Sequence, residues 1–185
     1  KFSQKFREVP KKVTQINRSM IEFTNPITSA DLLERGVYVY IQKSQLGGGS
    51  PMIRGLSTNR LVLSVDGVRL NNAIFRSGNI HNVISISPMN IENTEVIMGS
   101  ASVLYGSDAI GGVMNFYTKK AKLSNDSNPN ILININSRYS SASNEKMYHT
   151  DFNYGLQKIA FLSSFSKSDF DDLTMGIHGP SDYLR

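Results

Sequence analysis

Cysteine is absent from the 185 residues. That excludes a disulfide scaffold and thiolate metal sites, and leaves the redox compartment open. Long apolar runs are absent as well. The longest, such as Val37 to Ile41, are strand-sized, against the ~18 residues a spanning helix needs. No signal-peptide pattern is visible; if the protein is exported, its signal has been removed or lies outside this sequence. Concentrated charge is scarce. The formal net charge is +5, but only Lys1, Lys5, Arg7, Lys11 and Lys12 cluster. That reads as a solvated start, and no nucleic-acid partner is expected.

Catalytic constellations are missing too. The three histidines, His81, His149 and His178, fall in different segments. Ser164 and Lys167 have Ser-x-x-Lys spacing, but that motif belongs on a helix with two companion motifs, and here it lies in an alternating strand. Asp169, Asp171 and Asp172 lack the Gly and closing Glu of a calcium loop. Gly47-Gly48-Gly49 runs into Pro51 and a strand, not into the helix and Lys that a phosphate cradle needs. No enzyme, no cofactor and no metal site are expected.

What is present is organised around Ile53 to Thr118. Leu61 to Val65 suits a buried strand. Asp66-Gly67 turns it back, because Gly supplies positive φ cheaply, and Val68 to Leu70 returns. A polar loop spans Asn71 to Asn82. Asn93 to Met98 is a third strand, and Gly111-Gly112 opens a last one from Val113 to Tyr117. Upstream, Val9 to Ile16 alternates as a short strand. Ser19 and Glu22 have capping-box spacing for a helix through Phe23, ended by Pro26. Thr28 to Glu34 reads as a second helix stopped by Gly36, and Val37 to Gln42 as a strand. Pro88 suits a first helical position. Together these give a small mixed α/β sheet with short helices.

Four motifs in register carry a resemblance: Ile53-Arg54-Gly55, Val65-Asp66-Gly67-Val68, Ile91 to Gly99, and Val103-Leu104-Tyr105-Gly106-Ser107-Asp108-Ala109-Ile110-Gly111-Gly112. The stretch from Glu8 to Lys120 resembles the plug domain of TonB-dependent outer-membrane receptors. The resemblance implies an α+β plug over residues 1–120, a linker over 121–130, and the first antiparallel strands of a transmembrane β-barrel over 131–185. The chain then reads as a piece of a longer one.

The later texture agrees. Ile131, Ile133 and Ile135 alternate with Leu132, Asn134, Asn136 and Arg138. Tyr148, Thr150, Phe152, Tyr154 and Leu156 alternate with His149, Asp151, Asn153 and Gly155. Ile159, Phe161 and Phe165 share one face with Ser163. Such period-two segments of about ten residues suit outer-membrane strands; a soluble antiparallel sheet with one wet face reads the same way. Gln157-Lys158 makes a tight turn, and Ser140 to Glu145 a longer connection. Three strands cannot close a barrel of about 22. On this topology Asp169 to Arg185 begins an outside loop.

The resemblance further implies energised uptake of a scarce solute, a ferric siderophore or haem, across the outer membrane of a Gram-negative bacterium. Cobalamin or an oligosaccharide is the alternative cargo, and a soluble periplasmic module without a channel is the alternative class. The apices of the plug would meet the cargo through Gln45, Leu46, Thr58, Asn59, Asn72, Phe75, Arg76, Asn79 and His81, with His81 the candidate axial imidazole for haem. Arg54, expected in a strand, and Glu95 would contact the barrel wall. Met98-Gly99-Ser100 stands where the family has Arg-Gly-Pro, which removes one bidentate partner for a wall carboxylate. The implied partners are the TonB complex, through a segment upstream of this sequence, the iron complex or other small molecule, and outer-membrane lipid.

Overall fold

The computed structural model describes residues 12–36, 39–43, 48–57, 60–70 and 83–171. The chain divides into two compact units, with the break between Lys119 and Lys120.

In the first unit, β1 (Lys12–Asn17) runs directly into α1 (Arg18–Thr24). The cap expected at Ser19 sits instead on Asn17. Its backbone is extended, as an N-cap requires, and its Oδ1 accepts from the Met20 amide at 3.0 Å. Ser19 donates its hydroxyl to the same oxygen at 2.9 Å, and Glu22 pairs with Arg18 at 2.8 Å. The helix therefore starts earlier than the Ser19–Glu22 spacing suggests, because β1 already supplies the non-helical residue. In α2 (Ser29–Gly36) the capping is reciprocal. Thr28 Oγ1 accepts from the Asp31 amide at 3.2 Å, and Asp31 Oδ2 accepts from the Thr28 amide at 2.9 Å, so two orphan amides are satisfied at once.

A small antiparallel sheet follows: β2 (Tyr40–Lys43), β3 (Gly49–Ile53) and β4 (Leu56–Ser57), in the order 2-3-4. The main sheet comprises β1, β5 (Leu61–Val65), β6 (Val68–Arg69), β7 (Ile91–Met98) and β8 (Gly112–Thr118). Its order is β1-β7-β8-β5-β6, antiparallel except for the β5–β8 pair. Asp66 and Gly67 both have positive φ (50° and 84°), which matches the hairpin to the strand twist. Pro88 occupies the expected first position, in a 3₁₀ turn (Pro88–Asn90), and β7 starts two residues before the expected Asn93.

One face of the main sheet presents Ile16, Leu61, Leu63, Val96, Met98, Met114 and Phe116 to the helices, where Ile21, Leu32 and Leu33 close the core. The other face carries a smaller cluster of Val62, Ile97, Ala109 and Val113. The covering segment, which includes a 3₁₀ helix (Ser100–Tyr105), is pinned by the Gly111 amide on the Arg60 carbonyl at 2.7 Å.

The second unit is an antiparallel sheet of β9 (Asn130–Ser140), β10 (Glu145–Gly155) and β11 (Ala160–Asp169), with β10 central. Registers are unbroken on both sides of β10. The alternating segments that begin at Ile131, Tyr148 and Ile159 correspond in turn to β9, β10 and β11.

Asp31 supplies a test of the first unit. Burial works against its charge, but bonds from Lys43 at 2.6 Å and from Thr28 outweigh that and hold its pKa below the ordinary 3.8. A depressed folded pKa stabilises above the unfolded value and is lost as pH falls through the folded one. Denaturant unfolding of the chain in detergent should therefore weaken below about pH 4. Asp31→Asn should flatten that acid slope, and an unchanged slope would remove Asp31 from the account.

Candidate functional site

The register of the main sheet lines up a polar row that crosses all five strands: Gln15 on β1, Glu95 on β7, Asn115 on β8, Ser64 on β5 and Arg69 on β6. The row lies on the face with the smaller apolar cluster. Its middle is buried, and every interior member is bonded, as burial requires. Ser64 donates to Asn115 Oδ1, and Asn115 Nδ2 donates to the Tyr105 hydroxyl at 3.2 Å. Tyr117, one step along β8 on the same face, donates to Glu95 at 3.1 Å. Burial first, and then the Glu95 carboxylate, push the Tyr117 phenol up to about 12. At the other end Arg69 pairs with Asp108, an exposed contact that holds the Asp108 carboxyl below its ordinary range. The row is a hydrogen-bonded strip with an anion near one end and a cation at the other. It can orient polar groups, and it has no nucleophile–base pair.

Arg54 does not lie in a strand. Arg54 and Gly55 form the two-residue turn between β3 and β4, with φ of 51° and 78°, and the Arg side chain is exposed. Arg-Gly is a two-residue hairpin connection that needs positive φ twice, so the residue that looked like a strand end is a charged tip. Glu95 is on a strand as expected, and its partner is Tyr117. Gln45, Leu46, Thr58, Asn59, Asn72, Phe75, Arg76, Asn79 and His81 lie outside the described residues, as do His178 and residues 172–185. Met98 is buried in the main core, so this position offers no cation.

In the second unit the burial is inverted relative to a water-soluble sheet. Along β10 the buried side chains are Glu145, Met147, His149, Asp151 and Asn153, while Tyr148, Phe152 and Tyr154 are exposed. Arg138 forks onto both oxygens of Glu145 at 3.2 and 2.7 Å. His149 places Nδ1 2.6 Å from Ser166 Oγ and Nε2 2.9 Å from Asp151, which also accepts from Ser164 at 2.6 Å. The opposite face carries Ile133, Ile135, Phe161 and Phe165, the last 67 % exposed. Among the described residues no group of three or more His, Cys, Asp or Glu is arranged to hold a metal ion.

Residues 5–113 match the model of the TonB-dependent receptor plug domain. The chain belongs to this family. It is 38 % identical over 131 residues to a vitamin B12 transporter, BtuB, of Vibrio vulnificus, a match that covers 69 % of this chain and 21 % of the transporter. The chain therefore spans about a fifth of that relative's length. Among solved structures it superposes on the copper transporter OprC with a TM-score of 0.72 and 19 % identity, over 86 % of this chain and 24 % of that one. It superposes on the siderophore receptor PiuA of Acinetobacter baumannii with a TM-score of 0.60 and 26 % identity, over 80 % and 19 %. The first unit has the plug fold: a mixed sheet with two short helices.

Tyr105, Asn115, Tyr117, Arg69 and Asp108 escaped the sequence reading. Their relation needs the strand register, although the Asp-Gly-Val-Arg run already put Arg69 five residues from Ser64. Titration tests the strip. The Tyr117→Phe variant should lose a phenol step near pH 12 in a tyrosinate absorbance titration. Glu95→Gln should move that step only part-way toward the ordinary value of about 10, because burial remains. Identical curves for wild type and Tyr117→Phe would refute the assignment.

Proposed function

We propose that this chain is the plug and the first wall strands of an outer-membrane receptor that admits a bulky, scarce metal complex, energised through TonB. The observation that carries the reading beyond the plug itself is the inverted burial of β10. Polar groups are buried and bonded, and the aromatic face is exposed. A soluble periplasmic module would turn that face inward, since apolar area in water costs roughly 25 cal/mol per Å². A strand in a barrel wall turns it to lipid. The reading needs no chemistry of bond making, and the protein acts as a gate with a binding platform, not as an enzyme.

Cobalamin is the first cargo to test, because the sequence relatives are vitamin B12 transporters. Ferric siderophores and haem come second. They are supported by the fold neighbours, which include a ferric enterobactin receptor and a hemophore receptor with heme bound. The cargo platform on this reading is the apical set from Gln45 to His81. Arg54, as a charged turn tip, serves the plug's contact with wall carboxylates.

Two measurements test this on the full-length receptor. Titration with cyanocobalamin, a ferric siderophore and haem should give saturable binding of one cargo class, and binding of none would sink the uptake reading. Arg54→Gly keeps the positive-φ turn and removes only the charge. It should raise passive leakage of bulky solutes through receptor-bearing vesicles while cargo affinity changes less than about tenfold. Unchanged permeability would take Arg54 out of the gate.

A further inference from the structure

The run from Lys119 to Asn130 is polar and reads as a slack connection between the two units. The bonding says otherwise. On the first unit, Asp66 accepts from the Thr118 amide at 3.0 Å and from its hydroxyl at 2.6 Å. The Asp66 amide in turn donates to the Phe116 carbonyl at 2.9 Å, and the Lys119 amide donates to the Asn90 carbonyl at 3.0 Å. The end of β8 is thus latched to the β5–β6 turn and to the chain just before β7.

Within the second unit, the Asn153 side chain treats Lys122 as a neighbouring strand would. Its Oδ1 accepts from the Lys122 amide at 2.8 Å, and its Nδ2 donates to the Lys122 carbonyl at 3.1 Å. A carboxamide has one donor side and one acceptor side in a plane, so it can stand in for a peptide group. Two residues further along β10, Gly155 lets this segment come close. A Cβ there would run into the Lys122 carbonyl. Past the clamp, the Ser124 amide donates to Leu156 at 3.1 Å, and Asn130 Nδ2 donates to the Leu123 carbonyl at 3.2 Å.

Only Lys120 and Ala121 stand between the last fastening on the first unit and the first on the second, and neither bonds to another described residue. We infer that the connection is a two-residue pivot held between an Asp66 latch and an Asn153–Gly155 clamp, not a twelve-residue tether. The difference is large. Twelve free residues would reach about 40 Å, and two reach about 7 Å. Thr118 and Lys122 therefore cannot separate beyond the reach of the four steps of chain that join them, roughly 14 Å, without undoing the latch or the clamp. The consequence for gating rests on the proposed receptor function; the pivot itself does not.

Hydrogen exchange read amide by amide on the full chain in detergent tests the pivot without any transport assay. In wild type the amides of Thr118, Lys119, Lys122 and Ser124 should exchange about tenfold or more slowly than those of Lys120 and Ala121, the factor one net hydrogen bond supplies. Asn153→Leu and Gly155→Ala should each release Lys122 and leave Thr118 slow, whereas Asp66→Ala should release Thr118 and leave Lys122 slow. Continued protection of Phe152 and Tyr154 reports that β10 remains paired in the variants. If a variant fails to fold, the wild-type pattern still decides. Exchange at Lys122 and Ser124 as fast as at Ala121 in wild type would overturn the inference, as would release of both fastenings by a single variant with β10 intact.

Discussion

The placement of β8 between β7 and β5 is the constraint on which the plug unit depends. A strand paired on both edges and covered on both faces must be largely apolar, and Gly-Val-Met-Asn-Phe-Tyr-Thr is buried over its first five residues. Its beginning must also pass tightly beside β5. A Cβ at Gly111 would lie 2.9 Å from the Arg60 carbonyl and 2.8 Å from Leu61, closer than real contacts allow. The glycine pair is therefore what admits β8 to its slot. With β8 in place, its two faces organise everything else. Met114 and Phe116 complete the main core under the helices, while Val113 and Asn115 build the second face, apolar in one row and polar in the next.

That second row shows how a sheet can hold polar side chains in its interior. Asn115 is 3 % exposed and would be costly if unpaired. It is satisfied by Ser64 across the parallel pair and by Tyr105 from the covering segment. The motif Val103 to Gly112, which looked in the sequence like a family signature, thus has a physical task. It brings Tyr105 over Asn115, Asp108 to Arg69 and Ala109 into the smaller core.

Local signals were legible wherever the structure is decided locally. The Asp66-Gly67 turn, the helix after Thr28, Pro88 and the alternation of β9 to β11 all follow from neighbours a few residues apart. The signals that misled were those with two local solutions. Ser19 and Asn17 compete for one cap, and the strand ending at Asn17 decides it. Arg54-Gly55 suits a strand end or a two-residue turn, and pairing of Ile53 with Leu56 decides it. The polar strip and the pinned connection were not legible at all. Glu95 meets Tyr117 only through register, and Lys122 meets Asn153 across 31 positions. Composition alone makes residues 119–130 look like a linker.

On the proposed wall assignment, β9 to β11 expose their apolar face to lipid and keep their polar face inward. No tryptophan lies within these 185 residues, so one introduced here adds a reporter whose signal is read as the difference from the unsubstituted receptor. Phe165→Trp places the probe on the exposed face and Met147→Trp on the buried one. Each variant of the full-length receptor would be reconstituted into vesicles of brominated lipid. The indole fluorescence of Phe165→Trp should be strongly quenched and that of Met147→Trp should not. Equal quenching of the two variants, or quenching of Met147→Trp alone, would contradict the account.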